Sequence, residues 1–225
     1  MKIQGIIFDF NGVLIDDEPL HFQSFIKTVQ EEGLDLNWEE YCEKYLPYDD
    51  HSLFYQFLKD RNQQKSPKEI EALIQIKSRY YFGAIEQHAP IIRSSVAFVN
   101  AVPSTVGLAI ASGATRQEIE PILDQLNLRQ RFSSIITAAD TTHSKPHPEA
   151  FLKALEELQQ FNPNLERDET IVIEDSYRGV ASAHQANLKC VALSTTYSSS
   201  KLSEANLVLE TLEGWSLEQL ADCLS

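Results

Sequence analysis

The sequence predicts an α/β fold in which a doubly wound, mostly parallel sheet carries an inserted helical domain. Three observations lead to this class. After residue 88, short apolar and β-branched runs alternate with helical patterns. Residues 16–87 show helical patterns and no convincing strand. Finally, an apolar run near the start of the chain ends in Asp9 and turns at Gly12, as a buried parallel strand does at the carboxyl edge of a sheet.

The core strands are predicted from runs of four to seven mostly apolar residues. These runs lie at residues 3–9, 106–111, 134–137, 170–173 and 190–193, with a short one at 207–209. Helical patterns separate them at residues 92–102, 115–126 and 177–186, after Pro148, and after a capping Ser216. Strands that alternate with helices form parallel βαβ units. Residues 1–15 and 88–225 are therefore predicted to form a Rossmann-like core.

Residues 16–87 are predicted to form a helical cap. An acidic run at 16–18, expected to be a solvated hinge, precedes a helix whose apolar face includes Phe22, Phe25 and Val29. Residues 38–46 and 52–58 continue the helical pattern. Ser66, followed by Pro67 and by a glutamate three residues later, predicts the capped start of a long last helix.

Composition restricts the classes of function. The chain has 225 residues, 43% of them hydrophobic, and a formal net charge of −14. That charge argues against a nucleic-acid-binding surface, although a few local cations can still bind a small anion. The three cysteines, Cys42, Cys190 and Cys223, show no metal-type spacing and are expected to be reduced thiols. With no signal peptide and no run of about 18 apolar residues, a soluble cytoplasmic protein without a membrane partner is predicted.

Polar residues follow four predicted strands. They are Asp9, Ser112, Lys145 at the start of a loop, and the pair Glu174 and Asp175. Because the carboxyl ends of parallel strands share one edge of a sheet, these side chains are expected to converge. A nucleophilic carboxylate, a hydroxyl donor, a cation and an acidic pair that can hold Mg²⁺ suit phosphoryl transfer.

These motifs together resemble the haloacid dehalogenase-like hydrolase superfamily, over essentially the whole chain. The resemblance lies in residues 9–13 (Asp-Phe-Asn-Gly-Val), 112–113 (Ser-Gly), 145–148 (Lys-Pro-His-Pro) and 174–179 (Glu-Asp-Ser-Tyr-Arg-Gly). The helical insert after the first motif resembles the cap of the subgroup that includes β-phosphoglucomutase and phosphoglycolate phosphatase. No one motif would be specific, but all four in order are.

The resemblance implies a role for each matched residue of the core. Asp9 is the expected nucleophile, and it is also expected to bind Mg²⁺ together with Glu174, Asp175 and the backbone carbonyl of Asn11. Phosphate is expected to bind Ser112, Gly113 and Lys145.

Substrate contacts are predicted less directly. His21 at the cap hinge and Lys77 on the last cap helix occupy places where the family's sugar-phosphate mutases carry a histidine and a lysine. Arg116 could contact substrate or simply be exposed. His143 and His147, on either side of Lys145, are expected to shape their loop rather than to bind metal.

Asn11 departs from the pattern of the family's active phosphatases, which carry an aspartate there as general acid and base. A carboxamide has no proton to exchange at neutral pH. General acid–base catalysis contributes about 10²–10⁴-fold, so that much rate is at risk. His21, with Glu18 behind it, is the first candidate to replace the missing acid.

The favoured function is therefore Mg²⁺-dependent hydrolysis of a small phosphate monoester, such as a sugar phosphate, through an aspartyl-phosphate on Asp9. One alternative is a phosphohexomutase, although residues 45–51 lack the arginine of the mutase cap loop. Another is a non-catalytic phosphate-binding or regulatory protein, or a variant engineered to trap a bound complex. The expected partner is a small phosphorylated metabolite, and the sequence does not predict the oligomeric state.

Overall fold

The structure, a computed structural model, describes all residues from 1 to 225 and divides into two compact units. The sheet unit comprises Met1–Asp16 and Pro90–Ser225, and the helical unit comprises Asp17–Ala89. The boundaries expected from the sequence differ from these by one residue at the first junction and by two at the second. No helix is both long enough and apolar enough to cross a membrane.

Six strands and nine α-helices make up the two units. The strands are β1 (Gly5–Phe8), β2 (Gly107–Ala111), β3 (Ser134–Ile136), β4 (Thr170–Glu174), β5 (Lys189–Leu193) and β6 (Leu207–Leu209). The helices are α1 (Glu18–Gln30), α2 (Trp38–Lys44), α3 (Asp50–Asp60), α4 (Pro67–Gln87), α5 (Arg93–Ala101), α6 (Arg116–Gln125), α7 (Glu149–Phe161), α8 (Tyr177–Gln185) and α9 (Leu217–Cys223). Each corresponds to a run predicted from the sequence.

All six strands form one parallel sheet in the order β3-β2-β1-β4-β5-β6, which confirms the predicted α/β class. β1 lies in the interior of the sheet and its four residues are buried, as the uninterrupted apolar run requires. Phe8 pairs with Ile110 of β2 and with Ile173 of β4. This register brings the ends of β1, β2 and β4 to one level at the point where the strand order reverses, which is where such sheets bind ligands.

The helical unit consists of α1 to α4 around a small aromatic core that includes Phe25, Phe54 and Phe57. The predicted capping box at the start of α4 is present, because the Ser66 side chain accepts a hydrogen bond from the Glu69 backbone and the Glu69 carboxylate accepts one from Ser66.

The expectation of a wholly solvated acidic run at residues 16–18 is wrong for Asp17. Its side chain is buried, accepts a hydrogen bond of 2.5 Å from the Tyr81 hydroxyl and lies 3.2 Å from Nε2 of His21. Buried carboxylates require such partners, and residues far away in the sequence supply one of them.

Candidate active site

Asp9 follows β1 directly at the carboxyl edge of the sheet, and its backbone N–H donates to the carbonyl of Ile173 at 2.8 Å. The chain then turns at Gly12, where φ is +71°. A Cβ atom on Gly12 would lie 1.9 Å from Oδ2 of Asp175. Glycine is therefore required twice at this turn, for its backbone conformation and for the space that the second carboxylate occupies.

The acidic pair at the end of β4 is held by its own backbone. Glu174 is fully buried, and its Oε2 accepts hydrogen bonds from the backbone N–H groups of Asp175 and Ser176, at 2.8 and 2.7 Å. The Ser176 hydroxyl donates to the same oxygen at 2.9 Å. Gly179 lies so close that a Cβ there would be 1.8 Å from the Glu174 carboxyl group. The position of this carboxylate is thus fixed on several sides.

Lys145 connects Asp9 and the acidic pair. Its Nζ donates to Oδ1 of Asp9 at 2.8 Å and to Oε1 of Glu174 at 2.7 Å, and it lies 4.6 Å from the centre of the Phe151 ring. The Arg178 guanidinium donates twice to the Lys145 backbone carbonyl, at 3.0 and 2.6 Å. Arg178 therefore positions the loop from which the lysine reaches the carboxylates.

Burial and mutual repulsion perturb the carboxyl groups of this cluster. Burial, reinforced by Glu174, raises the pKa of Asp9 to about 6 even though Lys145 opposes the shift. Burial and the neighbouring carboxylates likewise raise the pKa of Asp175 well above its usual range. Burial would also raise the pKa of Glu174, but Lys145 and the adjacent N–H groups outweigh burial and hold that pKa low. For Lys145, the two carboxylates outweigh burial and raise the pKa.

This cluster fits a divalent cation. Asp9, Glu174 and Asp175 each offer a carboxylate oxygen, and these oxygens lie within 4.8 Å of one another. One ammonium group faces three carboxyl groups, so the cluster has an excess of negative charge when all are ionised. Hard oxygen ligands and uncompensated negative charge are what Mg²⁺ sites provide.

Ser112 and Asn11 meet at the same edge. The Ser112 hydroxyl donates to Oδ1 of Asn11 at 3.4 Å, and the Ser112 backbone N–H donates to Ile136 at 3.0 Å. The adjacent Gly113 has open space where a side chain would start. The structure therefore brings together the core residues predicted from the sequence, namely Asp9, Asn11, Ser112, Gly113, Lys145, Glu174 and Asp175.

Arg116 is engaged elsewhere in the sheet unit. Its guanidinium donates to the carbonyl of Ile135 at 3.0 Å and pairs with the carboxylates of Glu120 and Asp140, at 3.2 and 3.3 Å. These contacts give the arginine a structural role at the start of α6, while its contact with substrate stays a prediction.

His21 and Lys77 lie together in the helical unit. Lys77 is buried, its Nζ lying 2.7 Å from Nδ1 of His21 and 2.5 Å from a carboxylate oxygen of Asp50. The His21 ring stacks on Tyr81 with centroids 4.3 Å apart. Their predicted roles toward substrate stay predictions, but Lys77 is not the solvated lysine that a cap helix often carries.

Sequence reasoning missed Thr196. The serine- and threonine-rich run at residues 194–200 predicts a polar surface loop. In the structure, however, the Thr196 hydroxyl hydrogen-bonds the Asp175 carboxylate and lies close to Gly12. The available signal was position, because Thr196 follows β5 at the same edge of the sheet as Asp9 and Asp175. Because the neighbouring residues are also serines and threonines, the position after β5 did not single out Thr196.

Known proteins with similar sequences belong to the family that the motifs of the site resemble. Residues 6–193 match the family model described as haloacid dehalogenase-like hydrolase. The plasmid-encoded protein CbbY of Cupriavidus necator is 30% identical over 219 residues, covering 92% of this chain and 84% of its own. A phosphorylated carbohydrates phosphatase of Thermotoga maritima is 24% identical over 187 residues, covering 83% of each chain.

A solved structure shows the same fold. CbbY from Rhodobacter sphaeroides, crystallised with phosphate, superposes with a TM-score of 0.81 at 22% identity, covering 97% of this chain and 99% of the other. The family match spans most of the chain and includes all four motifs of the site. The chain therefore belongs to the haloacid dehalogenase-like hydrolase family and is an enzyme of that family.

Proposed function

We propose that this protein is a Mg²⁺-dependent phosphatase that hydrolyses a small phosphate monoester, such as a sugar phosphate, through an aspartyl-phosphate on Asp9. The observation that carries the proposal is the buried arrangement of Asp9, Lys145, Glu174 and Asp175 at one edge of the sheet. Phosphatase names among the relatives support the same class of substrate.

Each residue of the cluster has a task in this reaction. A carboxylate oxygen of Asp9 attacks phosphorus and the alkoxide of the substrate leaves. Lys145, with a raised pKa, stays protonated and offsets charge on the phosphoryl oxygens, while the Ser112 hydroxyl donates to one of them. Asp9, Glu174, Asp175 and the Asn11 carbonyl would hold Mg²⁺, which when bound supplies further positive charge beside the phosphoryl group.

Proton transfer is the step in which this chain is expected to differ from phosphatases that carry an aspartate at the position of Asn11. The leaving alkoxide needs a proton, and a water must later lose one to hydrolyse the aspartyl-phosphate. Asn11 can donate an N–H hydrogen bond from its carboxamide but cannot serve as acid or base. Water or another side chain must therefore carry the proton, so we expect slow turnover at a competent phosphate site.

The test compares the chain carrying Asn11 with Asn11→Asp on a panel of phosphorylated metabolites, with and without Mg²⁺, by release of inorganic phosphate. We expect Mg²⁺-dependent turnover that Asn11→Asp raises by about 10²–10⁴-fold, because the carboxyl group restores general acid–base catalysis. Asn100→Asp, which adds the same charge on an exposed part of α5, is the matched control and should change nothing.

Three outcomes have distinct meanings. Unchanged turnover in Asn11→Asp would contradict the diagnosis of a missing acid. Activity only in that variant would indicate a binding protein, or an engineered trap, in place of an active phosphatase. Interconversion of hexose phosphates without phosphate release would favour the mutase alternative. Asn11 and Gly12 form an Asn-Gly dipeptide, which is prone to deamidation, and deamidation would convert Asn11 to aspartate. The intact mass of each sample must therefore be measured to show that Asn11 is unchanged.

A further inference from the structure

The loop that carries Lys145 presents two imidazoles on the side of the chain that the proposed reaction does not use. His143 and His147 are both exposed, and their ring centroids lie only 4.4 Å apart with a 31° angle between the planes. At this angle the rings are tilted toward each other and not stacked. Hydrogen bonds of the surrounding loop account for their close approach.

Hydrogen bonds hold this loop in place independently of any ligand. The His147 N–H donates to the Ser144 carbonyl at 3.0 Å, and the His147 carbonyl accepts from the Ser182 hydroxyl at 2.8 Å. Arg178 holds the Lys145 carbonyl between the two histidines. Contacts to Glu149 hold both imidazoles, because Nδ1 of His143 lies 3.1 Å from its carboxylate and Nδ1 of His147 accepts a hydrogen bond from its backbone N–H at 3.3 Å. Little ordering entropy therefore remains to be lost when the rings bind a common ligand.

A carboxylate completes the arrangement. One oxygen of Glu149 lies 3.1 Å from Nδ1 of His143 and accepts a hydrogen bond from the His143 N–H at 3.0 Å. Lys153 pairs with the other Glu149 oxygen at 2.7 Å, and the Thr142 backbone N–H donates to both oxygens at 3.1 Å. One possible ligand atom from each of His143, His147 and Glu149 lies within 4.8 Å of the other two.

We infer that His143, His147 and Glu149 form a binding site for one first-row transition-metal ion, separate from the carboxylate cluster around Asp9. Imidazole nitrogens suit Zn²⁺, Cu²⁺ and Ni²⁺, whereas Mg²⁺ prefers oxygen ligands alone. Such ions take nitrogen and carboxylate ligands at about 2.0–2.2 Å, and exposed side chains can make the remaining movement by rotation. The proposal adds metal binding to the loop-shaping role that the sequence predicts for these histidines.

An ion bound at this site would affect the position of Lys145. Lys145 lies between the two histidines in the sequence, so an ion bound to both would restrain the segment that positions this lysine. That restraint would act from outside the reaction site, without displacing any group that contacts phosphate.

The inference is tested, independently of phosphatase activity, by titrating the protein with Zn²⁺ in the presence of excess Mg²⁺ and measuring binding by isothermal titration calorimetry. We expect one Zn²⁺ equivalent that is lost in His143→Ala and in His147→Ala and retained in His184→Ala, an exposed histidine on α8. Glu149→Gln should weaken binding by about 10–100-fold, as loss of a supporting carboxylate does in other sites. Circular dichroism establishes that each variant is folded.

The carboxylate cluster is the competing location for the ion. Asp175→Asn removes one of its ligands, and we expect the Zn²⁺ equivalent to persist in that variant. With Cu²⁺ as the probe, electron paramagnetic resonance should show coupling to two imidazole nitrogens, reduced to one in either histidine variant. Zn²⁺ binding that survives in the double histidine variant, or that disappears only in Asp175→Asn, would overturn the inference.

Discussion

Two glycines at the carboxyl edge of the sheet stand where a methyl group would enter a carboxylate. Gly12 faces Asp175 and Gly179 faces Glu174, in both cases at separations below 2 Å from a built Cβ atom. Gly179 has no backbone requirement for glycine of the kind that the positive φ imposes on Gly12. Glycine is required at position 179 only because the Glu174 carboxylate lies so close. Substitution of Gly179 therefore tests how tightly Glu174 is held.

Gly179→Ala is expected to displace the Glu174 carboxylate and to lower the free energy of unfolding by about 1–3 kcal/mol, the usual cost of overpacking. It should also weaken Mg²⁺ binding, because Glu174 is one of the proposed ligands. Denaturant unfolding and Mg²⁺ titration measure the two effects.

Gly83→Ala is the matched control, because Gly83 lies within α4 with nothing within 4 Å of its missing Cβ. There alanine should stabilise by about 0.4–1 kcal/mol. Equal responses at Gly179 and Gly83 would mean that the contact with Glu174 is not constraining.

Among the helices, α4 has a buried charged side chain, Lys77, within the helical unit. The sequence predicts the capped start of this helix at Ser66, and in the structure Ile70, Leu73 and Tyr81 are buried on one of its faces. Lys77 shares that buried face, and its ammonium is balanced by Asp50 at the start of α3. The helical period predicts which face is buried, but it does not reveal that a lysine there has found a carboxylate.

A double-mutant cycle on Lys77→Met and Asp50→Asn measures this pair. Lys77→Met alone should destabilise by about 1–3 kcal/mol, because it leaves the Asp50 carboxylate without its cation. The double variant should recover part of that loss, with a coupling energy of about 0.5–3 kcal/mol. Asp50 is one-third exposed, so solvent screening places the expected coupling toward the lower end.

Lys68→Met provides the control for the loss of a lysine on the same helix, at an exposed position in its first turn. Its effect on the free energy of unfolding should stay within about 0.5 kcal/mol. Strictly additive effects of the Lys77 and Asp50 substitutions would show that the ion pair contributes nothing to stability.

For the whole molecule, the balance of charge at the sheet edge makes stability depend on pH. Burial raises the pKa of Asp9 from 3.8 to about 6. Between these values Asp9 binds more protons in the folded protein than in the unfolded chain, so its contribution to the free energy of unfolding falls as pH rises through this window. Above about pH 6 the full cost of the ionised, buried group is present. Asp175, with its pKa raised in the same direction, adds to the trend.

In EDTA, we therefore expect Asp9→Asn to become more stable, relative to the chain with Asp9, as pH rises from about 4 to above 6. The difference attributable to Asp9 is at most about 3 kcal/mol, from a pKa shift of about two units. Asp168→Asn, at an exposed position, is the control for removing an aspartate. A pH profile that is the same for wild type and Asp9→Asn would contradict the raised pKa. Mg²⁺ should restore more stability at pH 7.5 than at pH 5, because it binds the ionised carboxylates.

The order of strands and helices was predictable because it rests on local properties. Uninterrupted apolar runs indicated buried parallel strands, and capping residues such as Ser66 marked helix starts. The convergence of Asp9, Ser112, Lys145 and Glu174 was also predictable, because parallel strands present their carboxyl ends at one edge. The sequence by itself thus determined the α/β class, the helical insert and which polar side chains meet at the carboxyl edge of the sheet.

Only the tertiary structure decided which side chains are partners across long stretches of chain. It placed Thr196 beside Asp175, Arg178 on the Lys145 carbonyl and Tyr81 on Asp17. Neither periodicity nor capping encodes such pairs, because each depends on how loops approach one another once the sheet has formed. Burial follows the same rule, since a lysine or an aspartate is buried only where folding brings an opposite charge or a hydrogen-bond donor to meet it.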